Sequence, residues 1–156
     1  MTPTKIPASQ AQSVPEQVMT LEQAQQNLTT HFAPWVRALG LQVMRIGPMP
    51  EAFVELCLPY DPDWVHVGGV VCGQTLMAAA DTAAVLAFSA ALGGFKPMTT
   101  VQLNTTFMRP VANQDAIILG RVQRVGRTLG FAEISIRAAD REDVAVQVTT
   151  TYAWLG

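Results

Sequence analysis

Charge is scarce in this sequence. Only 14% of the 156 residues are charged and 49% are hydrophobic, whereas about 25% charged residues are typical of globular domains. This composition excludes a disordered chain, which needs many charges and few apolar side chains. The net charge is -2 and no basic stretch exists to follow a phosphate backbone, so we expect no nucleic acid partner. The shortage of charge also suggests that a second copy of the chain covers part of the surface.

Cysteine and histidine are also rare, which argues against metal chemistry. The two cysteines, Cys57 and Cys72, form no C-x-x-C pair, and His31 and His66 are the only histidines. Two cysteines are too few for a zinc site without more histidine, so we expect no metal; a disulfide between them stays open. The stretch MTPTKIPASQAQSVP that begins the sequence has no signal-peptide layout, and a cytoplasmic location is therefore expected.

A helical pattern comes first along the chain. Mostly apolar residues spaced by three and four between Val18 and Leu39 predict a helix. Ser13 and Thr20 each open a sequence typical of a capping box, so two starting points stay open. Pro34 is expected to end or kink this helix.

The remainder reads as strands, apart from one long apolar segment. From Leu76 to Leu92 the only charge is Asp81, which predicts a buried helix. A membrane span is the disfavoured alternative, because an Asp at its middle costs about 3 kcal/mol on insertion. The first two predicted strands form a hairpin and the last three are antiparallel neighbours. The predicted strands cover residues 41–46, 52–58, 101–107, 115–125, 129–138 and 144–154.

Together these patterns predict an α+β fold. An antiparallel sheet wraps around one long apolar helix, and an additional helix lies on the N-terminal side. We expect a flexible tail over residues 1–13, which are polar and proline-rich, and one domain over residues 14–156.

Asp81 is the first candidate for chemistry. A lone carboxylate in an apolar helix is costly unless it has partners. It could bond Thr82 or a neighbouring backbone group and only fix the packing. Alternatively it could act as a general base or nucleophile in a dry pocket.

The start of the same helix is the second candidate. Gly73 lies where the helix begins, and free N–H groups at a helix N-terminus can polarise a carbonyl oxygen; the alternative is a glycine that only permits a sharp turn. Gly73 and Asp81 are eight residues apart, about 12 Å along one helix. One helix cannot bring both to one reacting group, but two copies packed antiparallel across a two-fold axis can. A real site would therefore require at least a dimer.

Three stretches carry a family resemblance. They are similar to the hotdog-fold acyl-CoA thioesterases of the phenylacetate-degradation type, a resemblance that extends over roughly residues 41–154. The stretches are GVVCGQTLMAAADTA at 69–83, TVQLNTTFMRP at 100–110 and GRTLGF at 126–131.

The resemblance implies both an assembly and a mechanism. Dimers pair their sheets edge to edge and often pair again into tetramers. The Gly73 N–H would hold the thioester oxygen, and Asp81 from the partner subunit would act as base or nucleophile. Thr100 would help to position water. The substrate would be an acyl-CoA with a medium-chain or aromatic acyl group, so coenzyme A enters as substrate and no cofactor is needed.

Two positions depart from the family pattern. Cys72 replaces the usual His directly before Gly73, and His66 replaces the usual Asn seven residues before Gly73. His66 can still donate a hydrogen bond to water or thioester, and we include it with the catalytic residues. Cys72 could be a thiolate at a helix N-terminus, although a small apolar residue that fills the turn is the simpler interpretation.

Substrate contacts are expected around the same site. Cys72 and Gln74 flank Gly73, while Arg127 and Thr128 lie in the turn between two predicted strands. Arginine binds phosphates such as those of coenzyme A. For each single arginine, among them Arg109, Arg124 and Arg127, a solvated turn residue is the simpler interpretation.

Two other functions stay open. A hydratase or dehydratase of the same fold would pair a histidine, here His66, with a carboxylate and act on an acyl thioester. A non-catalytic protein that binds an acyl thioester or aromatic ligand would explain the changes at Cys72 and His66 as lost catalysis.

Overall fold

The computed structural model describes residues 18–156. The predicted tail over residues 1–13 and the capping box at Ser13 lie outside them, so the division of the chain at residue 13 stays a prediction.

Helix α1 spans Leu21–Thr30 and begins with the capping box predicted at Thr20. The Gln23 N–H donates to the Thr20 hydroxyl over 3.2 Å, and the Thr20 N–H donates to the Gln23 side chain over 2.9 Å. Gln25 then joins the helix to the first strand, because its side-chain oxygen accepts from the Val43 N–H over 2.8 Å.

The predicted long helix is interrupted before Pro34. Helix α2 spans Pro34–Arg37 and has the proline in its first turn, where the missing N–H is unneeded. Ala33 has φ -57° and ψ 150°, the extended backbone that a following proline imposes. The predicted break is confirmed, but helical structure ends at Arg37 and does not reach Leu39.

Six strands form one antiparallel sheet in the spatial order β1-β2-β4-β5-β6-β3. The predicted hairpin and the antiparallel run of the last three strands are both confirmed. The strands are β1 Gln42–Gly47, β2 Phe53–Leu58, β3 Met98–Phe107, β4 Ala116–Val125, β5 Leu129–Ala138 and β6 Val146–Trp154. A single 3-10 turn, Pro62–Trp64, follows β2.

Helix α3, Gly73–Ala91, lies across the middle of the sheet against β2, β4 and β5. The small alanines of the helix and a glycine on β4 let the helix pack closely against the sheet. A Cβ at Gly120 on β4 would lie 3.3 Å from the Ala83 carbonyl oxygen. The predicted hotdog architecture, a sheet wrapped around one apolar helix, is confirmed.

Helix α3 is also long and apolar enough, by length and composition alone, to cross a membrane. Its 18-residue window has a mean hydropathy of 1.2, but 72% of that window is buried inside the fold. The core helix of a globular domain gives the same values, so they are a weak indication of a membrane span.

Strand β3 forms one edge of the sheet and exposes side chains on both faces. Val101 is 59% exposed and Phe107 is 50% exposed. A bulge interrupts the pairing with β6, so that Thr100 opposes Tyr152 while Gln102 opposes Thr151. The extra residue, Val101, shifts the alternation and places Thr100 on the same face as Tyr152.

Candidate active site

Asp81 lies half-buried on α3 and accepts hydrogen bonds from two strands. The Tyr152 hydroxyl on β6 donates to Asp81 Oδ1 over 2.5 Å. The Thr100 hydroxyl on β3 donates to the same oxygen over 3.0 Å. The alternative that Asp81 bonds Thr82 is wrong, because the Thr82 hydroxyl donates to the Ala78 carbonyl one turn earlier.

The Tyr152 phenol is a neutral donor in this contact. Tyr152 is 1% exposed, and burial is the largest cause that raises the pKa of its phenol well above the usual value; the negative charge of Asp81 adds to the effect. A phenol in this state keeps its proton at neutral pH and can donate it to the carboxylate.

Gly73 opens α3 under an aromatic ring. A Cβ at Gly73 would lie 3.1 Å from Cζ of Phe107, at the end of β3. The Cys72 carbonyl accepts from the N–H groups of Thr75 and Leu76. Within residues 18–156 the Gly73 N–H donates to no acceptor, as expected for the first turn of a helix. This donor remains available to a substrate oxygen.

Cys72 and His66 take different places around this helix start. Cys72 is the N-cap residue, and its Sγ shares a hydrogen bond of 2.9 Å with the Thr75 hydroxyl. His66 lies in an exposed turn that is closed by its N–H donating to the Val70 carbonyl over 3.0 Å. Gly69 completes the turn with φ +71°, a conformation that favours glycine.

The two cysteines do not form a disulfide. Cys57 and Cys72 are both free. Burial, and secondarily the nearby charge of Asp115, raise the pKa of the Cys57 thiol, which makes it a poor nucleophile. Among residues 18–156 no three His, Cys, Asp or Glu side chains cluster closely enough to hold a metal ion.

The predicted substrate contacts lie on the surface. Gln74 is exposed in the first turn of α3, and Arg127 and Thr128 are exposed in the β4–β5 turn. Trp154 holds this turn, since its backbone N–H donates to the Thr128 carbonyl and its ring N–H to the Gly126 carbonyl, each over 3.0 Å.

Arg124 and Arg109, the other two arginines considered as phosphate contacts, lie outside this turn. Arg124 is exposed near the end of β4. Arg109 donates to the Val144 carbonyl over 2.8 Å and so joins the end of β3 to the start of β6.

One protomer does not bring all the predicted catalytic residues together. Thr100 reaches Asp81, whereas Gly73 lies eight residues away on the same helix, about 12 Å along its axis. His66 makes no hydrogen bond to Asp81 in residues 18–156. A single chain therefore holds the predicted catalytic residues in two separate groups, one at Asp81 and one at Gly73, here named half-sites.

Sequence reasoning assigned no role to Tyr152. Tyr152 lies buried on the last strand, β6. A buried phenol needs a hydrogen-bond partner, and that requirement was the available signal. The partner lies 71 residues earlier in the chain, so spacing alone could not identify it.

Comparisons with known proteins agree with this architecture. The profile of the thioesterase superfamily matches residues 68–145, half of the 156-residue chain. A proposed esterase of Thermoplasma volcanium is 29% identical over 94 residues, which are 55% of this chain and 64% of that protein. The chain thus matches less than two thirds of this relative's length.

Solved structures share the fold over most of its length. The thioesterase HI1161 from Haemophilus influenzae has a TM-score of 0.78 and 23% identity, covering 90% of this chain and 94% of the other. The Escherichia coli PaaI protein from the phenylacetic acid degradation operon has a TM-score of 0.72 and 18% identity, covering 86% and 95%.

The chain belongs to the thioesterase superfamily. This membership supports the predicted enzyme class, a thioester hydrolase.

Proposed function

We propose that this protein hydrolyses an acyl-CoA thioester, with a medium-chain or aromatic acyl group, to a free acid and coenzyme A. The observation that carries the proposal is Asp81, the only charge on α3, with Oδ1 fixed by two hydroxyl donors. A carboxylate held in this way on an apolar helix is suited to general-base or nucleophilic chemistry. Superfamily membership supports the thioester as the bond that is cleaved.

The reaction needs only a base, a water molecule and an oxyanion donor. Asp81 removes a proton as water forms a bond to the thioester carbon, and the Gly73 N–H stabilises the charge on the carbonyl oxygen. The carbon–sulfur bond then breaks and the leaving thiolate takes up the proton. In the nucleophilic alternative, Asp81 attacks the carbon, the thiolate leaves, and water cleaves the resulting anhydride.

The two half-sites meet if two protomers pair through β3. Thr100, which bonds Asp81, lies near the start of this edge strand, and Phe107, which covers Gly73, lies at its end. Antiparallel pairing of two copies about a two-fold axis near Leu103 and Asn104 brings each Asp81 towards Gly73 of the partner subunit. We therefore propose a homodimer with two shared sites, which can pair again into a tetramer.

The residues around the helix start complete the proposed site. His66 and Gln74 are exposed beside the Gly73 half-site and would donate hydrogen bonds to water or thioester. Cys72 would contact the substrate through its thiol. Arg127 and Thr128 lie in the turn held by Trp154, and there they would contact the phosphates or the pantetheine arm of coenzyme A.

A panel of acyl-CoA substrates tests the proposal through the release of free thiol. Asp81→Asn removes the base and keeps the acceptor for both hydroxyls. Gly73→Pro removes the oxyanion donor at a position where proline suits a helix start, since Cys72 already has an extended backbone of φ -67° and ψ 148°. The matched control, Gly73→Ala, meets Phe107 in the same way but keeps the N–H.

The expected result is thiol release that falls about 100- to 1000-fold in Gly73→Pro and far less in Gly73→Ala. Asp81→Asn should be similarly impaired. Near-full turnover of Asp81→Asn would exclude the mechanism. A changed acyl chain without thiol release would identify a hydratase, and tight binding without any turnover would identify a non-catalytic binding protein.

A further inference from the structure

Asp81 is held asymmetrically. Its Oδ1 accepts from both Tyr152 and Thr100, whereas Oδ2 accepts no hydrogen bond from residues 18–156. The Tyr152 hydroxyl is also 3.2 Å from the Asp81 carbonyl oxygen. The carboxyl group is therefore fixed by one oxygen and has the other available.

We propose that Tyr152 is a positioning residue that fixes Asp81 so that Oδ2 is the oxygen that reacts. This inference rests on the proposed hydrolysis and deepens it. A base must be held within hydrogen-bond reach of the proton that it removes. With Oδ1 saturated by two donors, rotation of the carboxyl group would break both hydrogen bonds, so one oxygen is presented consistently to water or to the thioester carbon.

The ring of Tyr152 belongs to a cluster of three aromatic rings. Phe88 packs against Tyr152 with ring centres 5.4 Å apart, and Trp154 packs edge-on against Phe88 at 5.3 Å. Gly130 makes room for this cluster, since a Cβ there would lie 2.5 Å from the Trp154 ring and 2.7 Å from Phe88. The phenol therefore has little freedom to follow a moving carboxyl group.

The same cluster connects Asp81 to the proposed coenzyme A contacts. Trp154 bonds the carbonyl of Gly126 through its ring N–H, and Gly126 directly precedes Arg127 and Thr128. The position of the reacting carboxylate and the position of this turn are thus set by one packed group. A substitution that removes only the Tyr152 hydroxyl keeps this packed group, so it can change the rate without changing substrate binding.

The test removes only the hydroxyl. Tyr152→Phe keeps the ring and the packing, and the matched control Thr150→Val removes another buried hydroxyl from the same face of β6, one that donates to the Gln102 carbonyl and not to Asp81. We expect kcat to fall by about tenfold or more in Tyr152→Phe, as for a lost hydrogen bond to a charged group. KM should be unchanged, because the variant keeps the aromatic ring and the packing around the β4–β5 turn. Thr150→Val should keep the wild-type kcat.

A second measurement needs no turnover. Urea unfolding of Asp81→Ala, Tyr152→Phe and the double variant reports the contact directly. Because the Tyr152 hydroxyl donates to Asp81 Oδ1, the effects of the two substitutions on the free energy of unfolding should be non-additive. Strictly additive effects would overturn the contact on which the proposal depends.

The two proposals fail in different ways. A wild-type protein that releases no coenzyme A from any acyl-CoA would overturn the hydrolysis, and the role of Tyr152 in it. An active wild-type protein that Tyr152→Phe matches in kcat would overturn the role of Tyr152 alone.

Discussion

Two differently inactivated variants can reveal whether each site is shared between subunits. Asp81→Asn keeps the oxygen that accepts from Tyr152 and Thr100 but cannot act as a base. Gly73→Pro keeps Asp81 but lacks the N–H proposed to hold the oxyanion. Each variant alone has a defect in every site, so we expect both to be nearly inactive.

The expected recovery on mixing follows from the distance along α3. Gly73 and Asp81 are eight residues apart, about 12 Å, so a shared site takes Asp81 from one subunit and Gly73 from the other. A mixed dimer then has one site with both defects and one intact site. Half of all randomly formed dimers are mixed, so an equal mixture should regain about a quarter of wild-type activity.

The assay refolds the two variants together and measures thiol release from the best acyl-CoA substrate. A mixture of Asp81→Asn with the double variant Asp81→Asn/Gly73→Pro is the control, because none of its pairings contains an intact site. If the first mixture regains no more activity than the control, the reasoning is refuted. If each site were instead built within one subunit, every site in every dimer of the first mixture would still carry one of the two defects.

Three further predictions concern stability and assembly. The raised pKa of Tyr152 means that the folded protein keeps a proton that the unfolded chain loses above about pH 10. The free energy of unfolding should therefore fall as the pH rises further, by up to about 1.4 kcal/mol per pH unit. Urea unfolding at several pH values should show a shallower fall for Tyr152→Phe, and equal slopes would contradict this. Gly130→Ala should destabilise the fold by about 1–3 kcal/mol because its Cβ overlaps two aromatic rings. Thermal unfolding measures the loss against Gly156→Ala, whose Cβ meets no atom within 4 Å, and matching curves would count against the packing argument. Asn104→Asp should raise the dimer dissociation constant about two- to fivefold through like charges near the two-fold axis. Sedimentation measures this, with Met44→Asp on the opposite edge as the control, and an effect of equal size there would argue against pairing through β3.

Local sequence patterns predicted most of the elements of the fold. The apolar run around Asp81 predicted α3, and one of the two predicted capping boxes, the one at Thr20, begins α1. The helical spacing that continues to Leu39 was misleading, because Pro34 cannot donate to a preceding carbonyl and forces Ala33 out of the helical region. A periodic pattern cannot report such a break by itself.

The contacts of the site were harder to predict than its elements. Asp81 was identified as a lone buried charge, but its partners depend on which strands lie next to one another. Simple alternation from Leu103 would place Val101 on the helix side, and only the bulge turns Thr100 there. Tyr152 comes from a strand whose place beside β3 is fixed by long-range pairing, which no local pattern encodes.

The place of β6 in the sheet has a consequence for biosynthesis. Ribosomes make β3, residues 98–107, well before β6, residues 146–154, the strand with which it pairs. During that interval the nascent β3 has two open edges and several uncovered apolar side chains, a state prone to aggregation. The Asp81 carboxylate also lacks the hydrogen bond from Tyr152 until β6 has been synthesised. Translation of β6 therefore completes the sheet and the environment of Asp81 in one event, and a nascent chain stopped earlier would lack both.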